Sequence, residues 1–175
     1  EIICARMGWP EFIEQARNIV ELGTGQGGGG AGIMSKLRPD AIFTTINYVD
    51  GHVFGEALGS WQSDLRLTRL NMDTIDPETL KLVPDNIDLL FIDTTHEAWH
   101  AAKELCMWQY KLQDGAIVIV DDLNQNDMLR FWESLTYDKT IYSATTIQGV
   151  LRYDASMRYD KSFDRPERST YGGQK

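Results

Sequence analysis

The sequence predicts an α/β fold built on a mostly parallel sheet that ends in an antiparallel hairpin. Three observations carry this. Short apolar runs alternate with stretches of helical period along almost the whole chain, the pattern of βαβ units. Two of the runs, 87–93 and 116–122, are nearly continuous in apolar residues, as strands covered on both faces are, and each ends in a carboxylate. The last two runs, 140–145 and 149–153, are separated by too few residues for a helical crossover, so they pair antiparallel.

Taken in order, a first helix starts at Pro10, where a missing N–H costs nothing, and runs to about Arg17. A strand follows at 19–22, then a glycine-rich turn, then a helix over 31–37 that Pro39 stops. The second strand spans 41–46. Leu65, Leu67 and Leu70, with polar residues between them, mark a short third strand, and Pro77 opens a helix after it. Between the two apolar strands, Ala98, Ala101, Ala102, Leu105, Trp108 and Leu112 recur at helical spacing, and Asp114-Gly115 closes that helix. Another helix is expected over 126–135. From Ser156 the chain turns polar, with Arg158, Lys161, Arg165 and Arg168 among few apolar residues. The expected organisation is one domain over 1–155 and a polar tail or docking arm over 156–175.

Composition narrows the function classes. With 175 residues, 42% of them hydrophobic and 10% aromatic, the chain supports a single core. Its 17 Lys and Arg against 26 Asp and Glu leave a net charge of -9, which opposes a phosphate-tracking surface and argues against nucleic acid as partner. No apolar run approaches the roughly 20 residues needed to cross a bilayer. The start, Glu1-Ile2-Ile3-Cys4, lacks both an initiator Met and a basic segment before a long apolar stretch, and reads as a trimmed or incomplete N-terminus rather than a signal peptide. Cys4 and Cys106 form neither a disulfide framework nor a metal-spaced cluster, so a reducing cytoplasm is expected.

The turn after the first strand reads Glu21-Leu22-Gly23-Thr24-Gly25-Gln26-Gly27-Gly28. Glycines there let backbone N–H groups approach a ligand at a helix N-terminus, although four consecutive glycines can also be a bare connection. Glu21 bears on the choice of ligand. A dinucleotide would bring a pyrophosphate above the turn, which a carboxylate repels, whereas S-adenosylmethionine (SAM) brings a sulfonium and an ammonium, which it attracts. Glu-x-Gly-x-Gly-x-Gly after a strand resembles motif I of the class I SAM-dependent methyltransferases, which have a Rossmann-like fold. The resemblance implies that Glu21, Gly23, Gly25 and Gly27 form the cofactor turn. The family's acidic ribose-binding residue at the end of the second strand is matched by Asn47, with Asp50 nearby as a second candidate. Asn71-Met72-Asp73 resembles the adenine-binding corner, which implies Met72 and Asp73 as cofactor contacts and Asp73 as acceptor for the exocyclic amine. A turn or helix cap ahead of Pro77 is the other reading of Asp73.

Open α/β sheets bind ligands beyond the carboxyl ends of their strands, so Asp93, Asp121 and Asp122 are expected in one crevice with the glycine turn. Clustered carboxylates repel, and hard oxygens without cysteine suit Mg²⁺ or a similar cation better than zinc; helix caps and solvated loops are the alternative. The run Ile92-Asp93-Thr94-Thr95-His96, then Lys103-Glu104-Leu105, Asp114-Gly115 and Val120-Asp121-Asp122, resembles the branch containing macrocin O-methyltransferases and cephalosporin-hydroxylase-like proteins. That resemblance implies Asp93, Asp121 and Asp122 as metal ligands, Asp93 also as a cofactor contact, and His96 as general base. It further implies a small-molecule substrate such as a sugar, methylated on a hydroxyl. A SAM-binding module without catalysis, or a hydroxylase-like enzyme on the same scaffold, stays open, as does a homo-oligomer.

One competing motif is present. His96-Glu97-Ala98-Trp99-His100 matches the His-Glu-x-x-His pattern of zinc proteases. On a helical wheel both histidines project away from the apolar face, and the motif falls in the first turn after a strand rather than within a long helix, which argues against a buried zinc site. Trp99, Trp61 and His52 are assigned no role.

Overall fold

The structure is a computed structural model that describes residues 13–48, 56–143 and 147–165. Seven strands form one sheet: β1 (Asn18–Leu22), β2 (Ile42–Ile46), β3 (Leu67–Leu70), β4 (Ile87–Ile92), β5 (Leu112–Val120), β6 (Asp138–Ser143) and β7 (Ile147–Arg152). Their order is β3-β2-β1-β4-β5-β7-β6. The first five pair in parallel, and β7 runs antiparallel to both β5 and β6. This is the expected Rossmann-like, mostly parallel sheet with its C-terminal hairpin. The strand order reverses between β1 and β4, and there the crevice for a ligand opens.

Residue alternation on the strands separates two cores. From β4, Leu90 and Ile92 join one cluster, while Leu89 and Phe91 join the other; from β5, Val118 and Val120 face one way, Ile117 and Ile119 the other. The larger core packs the sheet against α3 (Ala98–Trp108) and α4 (Met128–Ser134), with Trp108 and Phe131 fully buried. The smaller packs it against α1 (Gly28–Met34) through Ile33 and Met34. A short α2 (Pro77–Lys81) follows β3, capped by Asp76, whose side chain accepts from the Glu78 N–H at 2.9 Å.

Several expectations are corrected. The glycine run belongs to a helix: α1 begins at Gly28, three residues before the expected start, and ends at Met34. Glycine is a poor helix former, but Cβ atoms built on Gly29 and Gly30 would lie 3.0 and 3.1 Å from the Glu21 carboxylate, which would have to give way for α1 to pack this closely on β1 with any side chain there. Leu65 lies outside β3 and is fully exposed. Asp114-Gly115 does not close α3, which stops at Trp108. These residues lie inside β5, where pairing with β4 jumps from Ile87↔Leu112 to Leu89↔Ile117. The first helix is described only over 13–15, and Asp50, His52 and Cys4 fall outside the described residues. Residues 154–165 are mostly exposed, as a polar tail is, and are held at Tyr159, which is buried: its N–H donates to Gln109 Oε1 at 2.9 Å, and its C=O accepts from Gln109 Nε2 at 2.7 Å. Among the described residues no helix is long and apolar enough to cross a membrane.

Candidate active site

The parallel ladder runs past the strand ends and sets the site residues side by side. The Gly23 N–H donates to Ile46 O (2.8 Å), Asn47 to Leu70 O (3.0 Å), Asp93 to Leu22 O (2.8 Å) and Asp121 to Ile92 O (2.9 Å). Gly23 sits at φ 93°, and a Cβ there would fall 1.8 Å from the Asp93 carbonyl oxygen. The turn after β1 and the end of β4 therefore touch backbone to backbone, and no other residue fits between them.

Above this contact opens a cavity of about 340 Å³, within the range of small-molecule sites. Gly23, Gly25, Asn47, Asp73 and Asp93, all named from the sequence, line it. Thr74, Thr94 and His100 line it too, and the sequence had not singled them out for it. His100 corrects the wheel argument: it is buried, because that side of α3 faces the Thr74 wall rather than solvent. Asp73 is exposed, and its Oδ1 accepts from the Ile75 N–H at 3.0 Å, so its turn role and its place on the cavity coexist.

Three predicted cofactor residues lie elsewhere. Gly27 is the N-cap of α1, and Met72 packs against the larger core. Glu21 lies beneath the turn, since odd-numbered β1 positions face α1. Its register partner is Thr45, whose Oγ1 donates to Glu21 Oε2 at 2.5 Å, and Thr24 Oγ1 stands 2.5 Å from Thr45 Oγ1. Burial, reinforced by the Asp93 charge, pushes the Glu21 carboxyl up to about 8 against the hydrogen bonds from Thr45 and the Gly30 backbone.

Beside the cavity, Asp93 also belongs to a charged cluster. His96 Nε2 lies 3.0 Å from Asp93 Oδ1 and 3.5 Å from Asp122 Oδ2. His96 takes the left-handed conformation at φ 53°, as do Asp122 at 52° and Asn126 at 45°. Strained backbone of this kind persists only where surrounding bonds over-determine it. Here Asn126 Nδ2 donates to the His96 carbonyl at 2.8 Å, and Asp127 Oδ1 accepts the Ala98 N–H at 2.9 Å. Gln148, arriving from β7, donates from Nε2 to Asp121 Oδ1 at 2.7 Å, and Gln125 donates to Asp122. The hydrogen bond to Asp93 raises the His96 pKa above its ordinary value, with the Asp122 and Asp121 charges adding to it, while burial raises Asp121.

The expected metal set has the right donors, three hard carboxylates, but its disposition does not fit a cation. His96 stands between Asp93 and Asp122 and holds the place of the positive charge. Among the described residues no group of three or more His, Cys, Asp or Glu is placed to hold a metal ion. The zinc-protease pattern fails on the same geometry. His96 precedes α3, whose first residue is Ala98, and turns to Asp93, whereas His100 turns to Glu104. Glu97 instead accepts the Trp99 indole N–H at 2.7 Å.

The protein family described as Methyltransferase domain matches residues 20–123, which run from β1 through the Asp121-Asp122 pair. Among solved structures, the O-methyltransferase TomG of Streptomyces achromogenes, involved in tomaymycin synthesis and bound to SAM, is 20% identical with a TM-score of 0.58; the match covers 81% of this chain and 75% of that one. A Podospora anserina methyltransferase bound to S-adenosylhomocysteine (SAH) is 15% identical with a TM-score of 0.67, covering 87% and 79%. A Bacillus cereus O-methyltransferase in complex with SAH is 14% identical with a TM-score of 0.62, covering 84% and 81%. These likenesses establish a shared fold. A search of the curated proteins found no match. Since the family match spans more than half of the chain and takes in the turn, the cavity and the strand-end carboxylates together, the chain belongs to the methyltransferase-domain family.

Proposed function

We propose that the protein is a SAM-dependent O-methyltransferase acting on a hydroxyl of a small molecule, a sugar or similar polyol. Asp93 carries the reading: it lines the cavity and also accepts the hydrogen bond of His96, so a cofactor-sized space and a base share one residue. The fold neighbours, which include O-methyltransferases bound to SAM or SAH, support the cofactor class. The sugar or polyol rests on the resemblance to the macrocin branch.

The chemistry follows from the cluster. His96 Nε2 is committed to Asp93 and Asp122, so Nδ1 is the nitrogen that takes the substrate proton. The hydroxyl oxygen attacks the methyl carbon of the sulfonium in line, forming the O–CH₃ bond. The C–S bond breaks with its electron pair staying on sulfur, leaving SAH, and the proton ends on His96. Asp93 orients the imidazole and stabilises the imidazolium. Asn47, which follows β2 and lines the cavity, is the residue we assign to the ribose, as the family resemblance implies. The reading is tested by calorimetry with SAH and NAD: SAH binds and NAD does not, and Asn47→Ala weakens SAH by about 1–2 kcal/mol. Binding of NAD without SAH refutes it.

Cation assistance is a second reading: Asp93, Asp121 and Asp122 have the donor chemistry, but a cation would have to displace His96 from its place between Asp93 and Asp122. A divalent cation would lower the pKa of a bound hydroxyl. Magnesium titration decides it. A binding heat that disappears in Asp121→Asn supports the cation, and no heat at millimolar Mg²⁺, with transfer indifferent to chelator, removes it.

A further inference from the structure

Behind the cavity wall lies a charged residue that neither the glycine turn nor the His96 cluster uses. Glu104, in the middle of α3, is fully buried. A buried carboxylate is strongly destabilising unless its lone pairs are answered. Thr74 Oγ1 donates to Glu104 Oε1 at 2.5 Å, Thr94 Oγ1 donates to Oε2 at 3.0 Å, and His100 Nε2 lies 3.2 Å from Oε1. Thr74 follows β3 and Thr94 follows β4, strands that β2 and β1 separate in the sheet. One carboxylate therefore spans the crevice and ties its two walls to a single helix. The Trp108 indole N–H, donating to the Thr74 carbonyl at 2.9 Å, anchors the same wall to the same helix.

The donors also set the state of His100. Thr74 and Thr94 give their hydroxyl hydrogens to the two Glu104 oxygens, so we read the His100 nitrogen that faces Oε1 as carrying a hydrogen. The hydrogen bonds of His100 to Glu104 and Thr74 both go through Nε2. In the neutral ring Nδ1 is then a bare acceptor on a residue that lines the cavity beside Asp73 and Thr74.

We propose that Glu104 is a positioning residue for the purine end of the cofactor. It holds Thr74 and Thr94 across the crevice and fixes His100 with Nδ1 as acceptor, so that the cavity takes a 6-amino purine and rejects a 6-oxo purine. The inference rests on the SAM reading above. A 6-amino group offers two hydrogens to the acceptors Asp73 and His100, whereas a 6-oxo group sets acceptor against acceptor, the kind of mismatch that polar sites reject most strongly.

The test is calorimetric titration of the full chain with SAH and with S-inosylhomocysteine, which carries a 6-oxo group and an N1–H in place of the 6-amino group and bare N1. Wild type prefers SAH by at least about tenfold. Glu104→Gln loses about tenfold in SAH affinity and its preference narrows to about threefold or less. Thr94→Val, which keeps the side-chain shape and leaves Glu104 in place, weakens SAH by about three- to tenfold and serves if the Glu104 variant does not fold. Equal loss for both ligands, with the preference intact, makes Glu104 a purely structural group and overturns the inference. Unchanged SAH binding in both variants overturns it as well. Wild type that binds neither ligand overturns the SAM reading itself, and this inference with it.

Discussion

Replacing His96 with alanine is expected to cut methyl transfer by about 10²- to 10⁴-fold, the usual contribution of a positioned general base. SAH affinity is expected to change little, because His96 belongs to the Asp93–Asp122 cluster and the cavity is lined without it. The measurement is SAH formation from SAM against a panel of polyol and sugar acceptors, with calorimetry as the binding control. Glu97→Ala serves as the companion variant. Its carboxylate is engaged with the Trp99 indole, and it has no task in the transfer. Loss of transfer in the His96 variant alone separates an enzyme from a binding module. Full transfer in that variant removes the base assignment, and a peptidase activity lost in Glu97→Ala would overturn the methyltransferase reading.

The parts of this site that were legible in the sequence are those set by strand periodicity. Asp93 and Asp121 end runs that are nearly continuous in apolar residues, so their place at the carboxyl edge follows from the strand alone, and Gly23 follows from the turn after β1. What escaped depends on contacts between distant segments. Gln148 reaches Asp121 from β7, a strand 27 residues on, and no local pattern announces that pairing. His100 and Glu104 escaped for a different reason. A helical wheel divides a helix between core and solvent, whereas α3 has a third face against the cavity wall, where polar side chains are buried because Thr74 and Thr94 answer them. The glycine run suggests a turn up to residue 30, whereas the helix begins at Gly28, where close packing on Glu21 outweighs the poor helix propensity of glycine. Glu21 itself was legible as a special residue, but not as one lying under the turn, because its direction is decided by register with Thr45.

The position of Glu21 makes the fold pH-dependent in a direction opposite to that of a salt-bridged acid. In the unfolded chain the carboxyl titrates near 4.5, whereas in the fold burial holds its proton up to about pH 8. Between those values the native state binds a proton that the unfolded state has lost, so stability falls as pH rises, by ~1.4 kcal/mol per pH unit. The contribution is fully present below pH 4.5 and is gone once the pH passes through 8. Glu21→Gln keeps the shape and cannot ionise, so the variant is expected to gain on wild type by about 4 kcal/mol between pH 5 and pH 8, a large fraction of the stability of a single domain. Urea unfolding of both proteins across this range measures it, and parallel pH dependences would mean that Glu21 is ionised in the fold. The same acid links stability to the cofactor. A sulfonium and an ammonium bound over the turn favour the ionised carboxyl, so SAM is expected to expel a proton at pH 7 in wild type and none in Glu21→Gln. Calorimetry in buffers of different ionisation enthalpy reads that proton directly; identical heats across buffers in wild type would place the cofactor's cationic end away from Glu21.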